Sequence, residues 1–449
     1  MRKTCYLIGI AVSVAVVLAT PAAAGALPQV PASKFEPATD CGCHAGLLEQ
    51  WSASMHAKAL SDPVFVYKRD EGDKATGGAL GAFCNACHAP VAVMSGEIGS
   101  AKMSAQSAEG VGCDFCHQVT GSTRPLGNTS QRVAPTGVKR AQLKEAKPPA
   151  HAWAYSEFHE TAEFCGACHN VDHPANGMHL EATYTEWKNS PYAAQGFTCQ
   201  DCHMTPGPGV VKPNPGTAAA GAAEREHIYT MTFAGANVAQ GDSERATARL
   251  KAAATVDMQV SEIVASGATT EVVVTVTNVG AGHYLPTGLT EVRQMWLEVN
   301  AVADDGTTTS LGRRDFGTVL KDAKGSSPVE LWEATGIASD DRIPPLQSIV
   351  ARYPFKMTSD APARIEAVLN YRSMPDEMAK AAGVENPITE MARAESRIWA
   401  SDDARSGSAT DEESGGTISA AVWIAVIGSI VAVAAVAFVL LRSRSRRNA

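Results

Sequence analysis

Residues 113–117 read Cys-Asp-Phe-Cys-His, and the same spacing returns at 84–88, 165–169 and 199–203. A shortened version, Cys-Gly-Cys-His, occupies residues 41–44. On one turn of helix, cysteines three positions apart reach the two vinyl groups of a haem, while the imidazole that follows lies beneath the iron as its proximal ligand. This is the attachment motif of c-type haem. We therefore predict covalent haem c at the four regular motifs and at the shortened one.

Disulfides and zinc are the alternatives to haem for paired cysteines. Pairs in an exported chain commonly form disulfides, and C-x-x-C pairs also form zinc sites, for which two pairs have to converge. Neither alternative explains why a histidine follows every pair. The predicted attachment residues are Cys41, Cys43, Cys84, Cys87, Cys113, Cys116, Cys165, Cys168, Cys199 and Cys202, and the predicted proximal iron ligands are His44, His88, His117, His169 and His203.

The first pair departs from the regular spacing, because only Gly42 separates Cys41 from Cys43. Either both cysteines hold the haem through a strained loop, or Cys43 alone attaches it and His44 ligates the iron. A free or disulfide-bonded pair beside a tetrahaem core is a third alternative.

The crowding of the motifs into residues 41–203 has a structural consequence. A domain of this size is too small to isolate five porphyrins, so the haems must be near neighbours along which electrons pass. The macrocycles also replace much of the apolar core that long helices otherwise supply. We predict a mostly helical and irregular haem domain at 25–240, with short helices around the motifs.

The second axial position of each iron decides between two kinds of function. A second histidine makes a low-potential electron carrier, whereas an open position makes a site for small molecules. His56 follows His44 by only twelve residues, about 18 Å on a continuing helix, so we expect it to ligate a different haem. The candidate distal ligands are His56, His151, His159, His227 and His283, with His173 and His179 as further alternatives.

The second half of the chain differs from the first in composition and in residue pattern. A Pro/Gly/Ala-rich stretch at 206–223 has the composition of a linker. We predict an α+β chain, with a β-sandwich domain at 250–400. There, His283 lies in the glycine-rich loop 278–288, which suits either delivery of this histidine to a haem or an ordinary turn. β-branched residues alternate with others, as in strands, at 255–261, 271–278, 294–302, 347–356 and 363–371.

Both ends of the chain carry membrane-targeting patterns. Residues 1–24 combine basic residues, an apolar run and an alanine-rich cleavage site, which predicts a signal peptide. Residues 417–441 contain no charge and predict one transmembrane helix, with the basic tail 442–449 in the cytoplasm and a flexible stalk at 401–416. The haem domain is then exported and anchored on the periplasmic or extracellular side. An uncleaved N-terminal anchor and a protease-removed sorting tail are the alternatives.

The charge of the chain excludes one class of partner. Lysine and arginine number 38 against 47 aspartates and glutamates, which gives a net charge of −9. Because an acidic body repels phosphate backbones, we expect no nucleic-acid partner. Redox partner proteins with cationic surfaces, a membrane-side donor and an external acceptor or oxidoreductase, fit this charge better.

Three stretches carry a resemblance to a known family: Glu-Gln-Trp-Ser-Ala-Ser-Met-His at 49–56, Glu-Gly-Val-Gly and the motif after it at 109–117, and Thr-Glu-Trp-Lys-Asn-Ser-Pro-Tyr at 185–192. With them, residues 38–240 resemble the multihaem cytochromes c of the c-552/c-554 family. The resemblance implies a mostly helical domain with stacked and edge-on haem pairs, mainly bis-histidine irons, and His56 and His159 as distal ligands. The shortened first motif, and five motifs where the tetrahaem carrier of that family has four, depart from it.

The leading functional prediction is a membrane-anchored electron carrier rather than an enzyme. A multihaem oxidoreductase that acts on a small nitrogen or sulfur compound at one open iron is the first alternative. The second alternative is a structural subunit that docks another cytochrome through its β-domain.

Overall fold

The computed structural model describes residues 27–358 and 362–401. The predicted signal peptide at 1–24, transmembrane helix at 417–441 and basic tail at 442–449 lie outside these residues, as does the predicted stalk beyond residue 401. Within the described ranges, none of the helices has both the length and the apolar character that crossing a bilayer requires.

Short helices build the motif-bearing half of the chain. His88, His117 and His203 are each the last residue of a helix that contains their own cysteines. The last of these helices starts with a reciprocal capping box between Thr198 and Asp201. The helices are α1 (Ala45–Ala53), α2 (Pro63–Ala75), α3 (Gly81–His88), α4 (Pro90–Ser95), α5 (Ala105–Ala108), α6 (Cys113–His117), α7 (Glu163–Gly166), α8 (Thr183–Lys188), α9 (Pro191–Ala194) and α10 (Cys199–His203).

Short strands pair two by two between these helices. The buried apolar residues here form small clusters, one around Phe35 and Met94 and another around Leu126 and Tyr184. Small clusters agree with the expectation that porphyrins supply much of the core. The pairs are β1 (Val119–Ser122) with β2 (Gln131–Val133), β3 (Lys139–Ala141) with β4 (Trp153–Tyr155), and β5 (Val171–Asp172) with β6 (His179–Glu181).

Strands dominate the second half, which begins with helix α11 (Ser243–Ala253). Each of the five predicted strand regions contains a strand, whereas β8, β11, β12, β13 and β16 were not predicted. The strands are β7 (Ala254–Gln259), β8 (Ile263–Val264), β9 (Thr269–Asn278), β10 (Gln294–Ala303), β11 (Thr308–Phe316), β12 (Thr318–Lys321), β13 (Gly336–Asp340), β14 (Ser348–Lys356), β15 (Ala363–Arg372) and β16 (Thr389–Ala400), and helix α12 (Asp376–Ala382) lies between the last two.

Two sheets share one hydrophobic core in this domain. One sheet has the strand order β11-β10-β15-β16-β8, and the other has the order β14-β9-β7. Val272 and Val274 of β9 are buried together with Leu297 of β10 and Ile365 of β15. Buried residues that alternate along facing strands are the arrangement of a β-sandwich. We refer to residues 254–400 below as the β-domain.

We predict that Leu297→Ala lowers the free energy of unfolding of the β-domain by about 2–5 kcal/mol, because Leu297 is fully buried and its truncation leaves a cavity. Urea denaturation followed by far-ultraviolet circular dichroism measures the change. The matched control is Leu346→Ala at a half-exposed leucine, for which we expect a change within about 0.5 kcal/mol. Equal effects of the two substitutions would contradict this description of the core.

Candidate functional site

Each histidine that follows a cysteine pair donates a hydrogen bond from Nδ1. Four of the acceptors are backbone carbonyl oxygens and the fifth is a carboxylate. This bond fixes the tautomer and leaves Nε2 free to bind a metal. The bonds run from His44 to Ala218 (2.7 Å), from His88 to Ala59 (3.0 Å), from His117 to Arg140 (2.7 Å), from His169 to Glu181 (3.2 Å) and from His203 to Ala234 (2.8 Å).

Four of these five histidines face a second histidine. A metal–nitrogen bond of about 2 Å on each side places two imidazoles that share a metal about 6 Å apart, centre to centre. The observed spacing therefore suits one iron between the rings of each pair. The ring centroids are 6.3 Å apart for His44 and His151, 6.3 Å for His56 and His169, 6.2 Å for His117 and His159, and 6.2 Å for His203 and His283.

Three of the four opposing histidines also have an Nδ1 partner. The Nδ1 atom of His151 lies 3.2 Å from the Ala152 carbonyl oxygen, and that of His283 lies 2.9 Å from the Tyr284 carbonyl oxygen. The Nδ1 atom of His159 lies 2.8 Å from the Ser156 hydroxyl, and its Nε2 lies 3.0 Å from the Cys116 carbonyl oxygen. That Nε2 atom has to leave the carbonyl when it binds iron.

The second motif is different from the other four. The ring of His88 stacks on Phe65, with centroids 3.7 Å apart and ring planes 6° apart. None of the histidines in the described part of the chain forms with His88 the 6 Å pair seen at the other motifs. At this motif, therefore, His88 has no second histidine opposite it among the described residues.

The remaining three histidines have other contacts. His227, a candidate distal ligand, packs edge-on against Tyr229 and accepts a hydrogen bond from the backbone N–H of Asn214. The role of His227 as a distal ligand stays a prediction. His173 lies 3.3 Å from the Trp332 carbonyl oxygen, and His179 bonds to Asp172 at the surface.

Cysteines from different motifs touch one another. Cys41 lies beside Cys113, Cys87 lies beside Cys168, and Cys165 lies beside Cys199. The attachment points of the motifs are therefore neighbours, as the crowding along the sequence predicts. Burial raises the pKa of the Cys116 thiol to about 12.

Burial controls the protonation of the facing imidazoles. It lowers the pKa of His56 and of His203 to about 3, so both rings are neutral, which is the form that binds a metal. At His169, burial acts in the same direction, but the hydrogen bond and the charge of Glu181 outweigh it and raise the pKa to about 9. Among the proximal histidines whose pKa is shifted, His169 is the most basic because of this carboxylate.

Comparison with known proteins finds similarity to cytochromes c. The sequence model of the family "Cytochrome c554 and c-prime" matches residues 40–118. The crystal structure of a penta-heme cytochrome c552 from Thermochromatium tepidum matches with a TM-score of 0.60 and 20% identity, over 82% of this chain and 100% of that one. The matched 82% of the chain contains more residues than the haem domain, so the shared fold extends into the β-domain. No curated protein sequence matches the chain.

Two further solved structures overlap only in part. The CARDB domain of a Pyrococcus furiosus protein matches with a TM-score of 0.19 and 15% identity, over 33% of this chain and 86% of that domain. A superoxide reductase (neelaredoxin) from Ignicoccus hospitalis matches with a TM-score of 0.16 and 11% identity, over 32% of this chain and 80% of that protein.

The motifs, the orientation of the histidines and these comparisons define a class. The chain is similar to the multihaem c-type cytochromes. It resembles the c552/c554 family, and its cysteine–histidine motifs are those that bind haem c covalently.

We predict that Glu181→Gln raises the reduction potential of one haem, on the order of tens of millivolts, because the loss of the carboxylate makes His169 a less basic ligand. Spectroelectrochemical titration of the holoprotein measures the shift. Glu262→Gln, at an exposed position of the β-domain, is the control and is expected to leave all potentials unchanged. An unchanged set of potentials in the Glu181 variant would contradict the role assigned to its carboxylate.

Proposed function

We propose that this cytochrome is an electron carrier in which most irons are held between two histidines. The four histidine pairs with centroids 6.2–6.3 Å apart are the observation that carries the proposal. An iron closed on both faces by imidazole exchanges electrons but offers no open position to a substrate. The proposed distal ligands are His56, His151, His159 and His283, opposite His169, His44, His117 and His203 respectively.

The chain attaches the porphyrins, orients the histidine rings and closes both faces of most irons. Haem c supplies the reversible one-electron chemistry of its iron. The ten cysteines fix the porphyrins to the backbone, and the Nδ1 acceptors hold the histidine rings at fixed angles. Cysteines of different motifs lie beside one another, so the porphyrins would be attached at neighbouring points. Short separation is the property that a relay of electrons requires.

The shortened motif is included in this proposal. His44 has the same two features as the regular proximal histidines, namely a carbonyl acceptor at Nδ1 and a facing histidine, His151. Cys41 also contacts Cys113 of a regular motif. We therefore assign a haem to Cys41 and Cys43, and we do not assign a disulfide to this pair.

The proposed setting is the outer face of the cytoplasmic membrane. The signal-peptide pattern at 1–24 supports export, and the uncharged stretch 417–441 followed by a basic tail supports a C-terminal anchor. We propose that the haem domain at 25–240 and the β-domain at 250–400 both lie outside, joined to the anchor by the stalk at 401–416. Redox partner proteins then meet the haem domain outside the cytoplasm.

A second function is favoured by a specific observation at the second motif. His88 stacks on Phe65 and faces no histidine of the described residues. An iron held there by His88 alone has one open axial position, which is the site that an oxidoreductase of a small nitrogen or sulfur compound needs. The other four irons would then deliver or remove its electrons.

The spin states of the oxidised holoprotein test both functions. We expect electron paramagnetic resonance to show low-spin iron at four of about five haems, with the total haem determined as the pyridine haemochrome. A high-spin signal worth one haem that shifts on addition of nitrite, hydroxylamine or cyanide supports the second function, and its absence removes that function. High-spin iron at most haems would contradict the electron-carrier proposal.

We also predict that electron exchange with a basic redox partner slows about tenfold between low and high ionic strength, because salt screens attraction to an acidic body. Stopped-flow mixing with such a partner at varied salt measures the rate. Exchange with a small uncharged mediator is the control and is expected to stay constant. A partner rate independent of salt contradicts docking through charge.

A further inference from the structure

One loop of the β-domain reaches the haem domain. It leaves β9 at Asn278, carries His283 and ends near Gly288. At its start, the Tyr192 hydroxyl of α9's first turn donates to the Val279 carbonyl oxygen (2.9 Å). Near its end, the hydroxyls of Thr183 and Thr287 lie 2.9 Å apart. The haem domain therefore holds this loop on both sides of His283.

Glu186 lies at the centre of this contact. It belongs to α8 of the haem domain and is only 7% exposed, although it carries a carboxylate. Its oxygens accept hydrogen bonds from the backbone N–H of Tyr284 (3.2 Å), from the Thr287 hydroxyl (2.6 Å) and from the Arg342 guanidinium. All three donors belong to the β-domain.

The burial of this carboxylate depends on the docked position of the loop. A buried charge is tolerated only when it is paired and hydrogen-bonded. Separation of the β-domain would remove all three of the donors named above from Glu186 at once. Arg342 has a second partner in Asp340 (2.8 Å) and also lies over the ring of Tyr284, so the arginine is fixed on the side of the loop.

We propose that Glu186 is a positioning residue that holds His283 opposite His203, so that the docking of the β-domain controls the coordination of this one iron. The inference rests on the proposed function, in which His283 is a distal ligand. Tyr284, whose backbone N–H bonds to Glu186, is the next residue after His283, and the His203 and His283 centroids are 6.2 Å apart. Weakening of the Glu186 contacts releases the histidine without touching any iron ligand.

The test compares Glu186→Gln with His283→Ala in the full-length holoprotein. We expect His283→Ala to convert the iron at His203 to high spin and to open it to cyanide. Glu186→Gln is expected to raise the rate of cyanide binding at one haem about tenfold. Hydrogen bonds to a charged group shift an equilibrium constant about tenfold or more, here the one between bound and released His283. Free imidazole is expected to restore low-spin iron in His283→Ala.

Glu271→Gln is the matched control. It removes a carboxylate from an ion pair with Arg352 that lies within the β-domain and is more than half exposed on both sides. Exposed pairs contribute little, so we expect wild-type cyanide kinetics and spin state. A loss of coordination in this control as large as in Glu186→Gln would overturn the specific role of Glu186.

The outcomes separate the two proposals. A high-spin content of His283→Ala equal to that of the wild type contradicts the ligand assignment itself. One additional high-spin iron in His283→Ala with wild-type behaviour of Glu186→Gln contradicts only the positioning role. If Glu186→Gln fails to retain its haem, Thr287→Val removes one bond to Glu186 without leaving a charge unpaired. Faster cyanide binding in Thr287→Val then supports the role, and wild-type kinetics overturn it.

Discussion

The pairing of imidazoles across the proposed iron positions is the constraint on which the rest of our account depends. Each pair joins distant parts of the chain, such as His44 with His151 and His56 with His169. A metal bound between such residues acts as a cross-link, and its binding free energy becomes folding free energy. This explains how a segment with short helices and small apolar clusters keeps a defined arrangement. The acceptors at Nδ1 complete the constraint, because their hydrogen bonds orient the rings independently of a metal.

The two halves of the chain are stabilised in different ways but meet at one functional residue. The β-domain has a continuous hydrophobic core between two sheets. The haem domain has no comparable cluster among its described residues, and it relies on ligands and covalent attachment. His283 connects them, because the β-domain supplies a histidine that faces a haem-domain motif. The buried carboxylate of Glu186 lies at the same junction, so in our proposal the contact between the halves is coupled to the coordination of one iron.

Local patterns predict the attachment residues and five strands of the β-domain. The C-x-x-C-H spacing is a contiguous chemical requirement, so Cys113, Cys116 and His117 are recognisable without a structure. β16 was missed because half-buried positions in its middle are occupied by Ala392 and Ala394, and alanine has a low strand propensity. The partners of the proximal histidines were not predictable, because four are backbone carbonyls, which have no sequence signature. Phe65 at His88, and the choice of His283 over His227, depend on tertiary contacts between distant segments.

An anomalous-scattering map at the iron edge, from crystals of the holoprotein, tests the central claim most directly. Our account predicts five iron peaks. Four of them lie midway between the rings of the His44–His151, His56–His169, His117–His159 and His203–His283 pairs, and the fifth lies at His88. Iron peaks away from these pairs, or pairs with no iron between their rings, would contradict it.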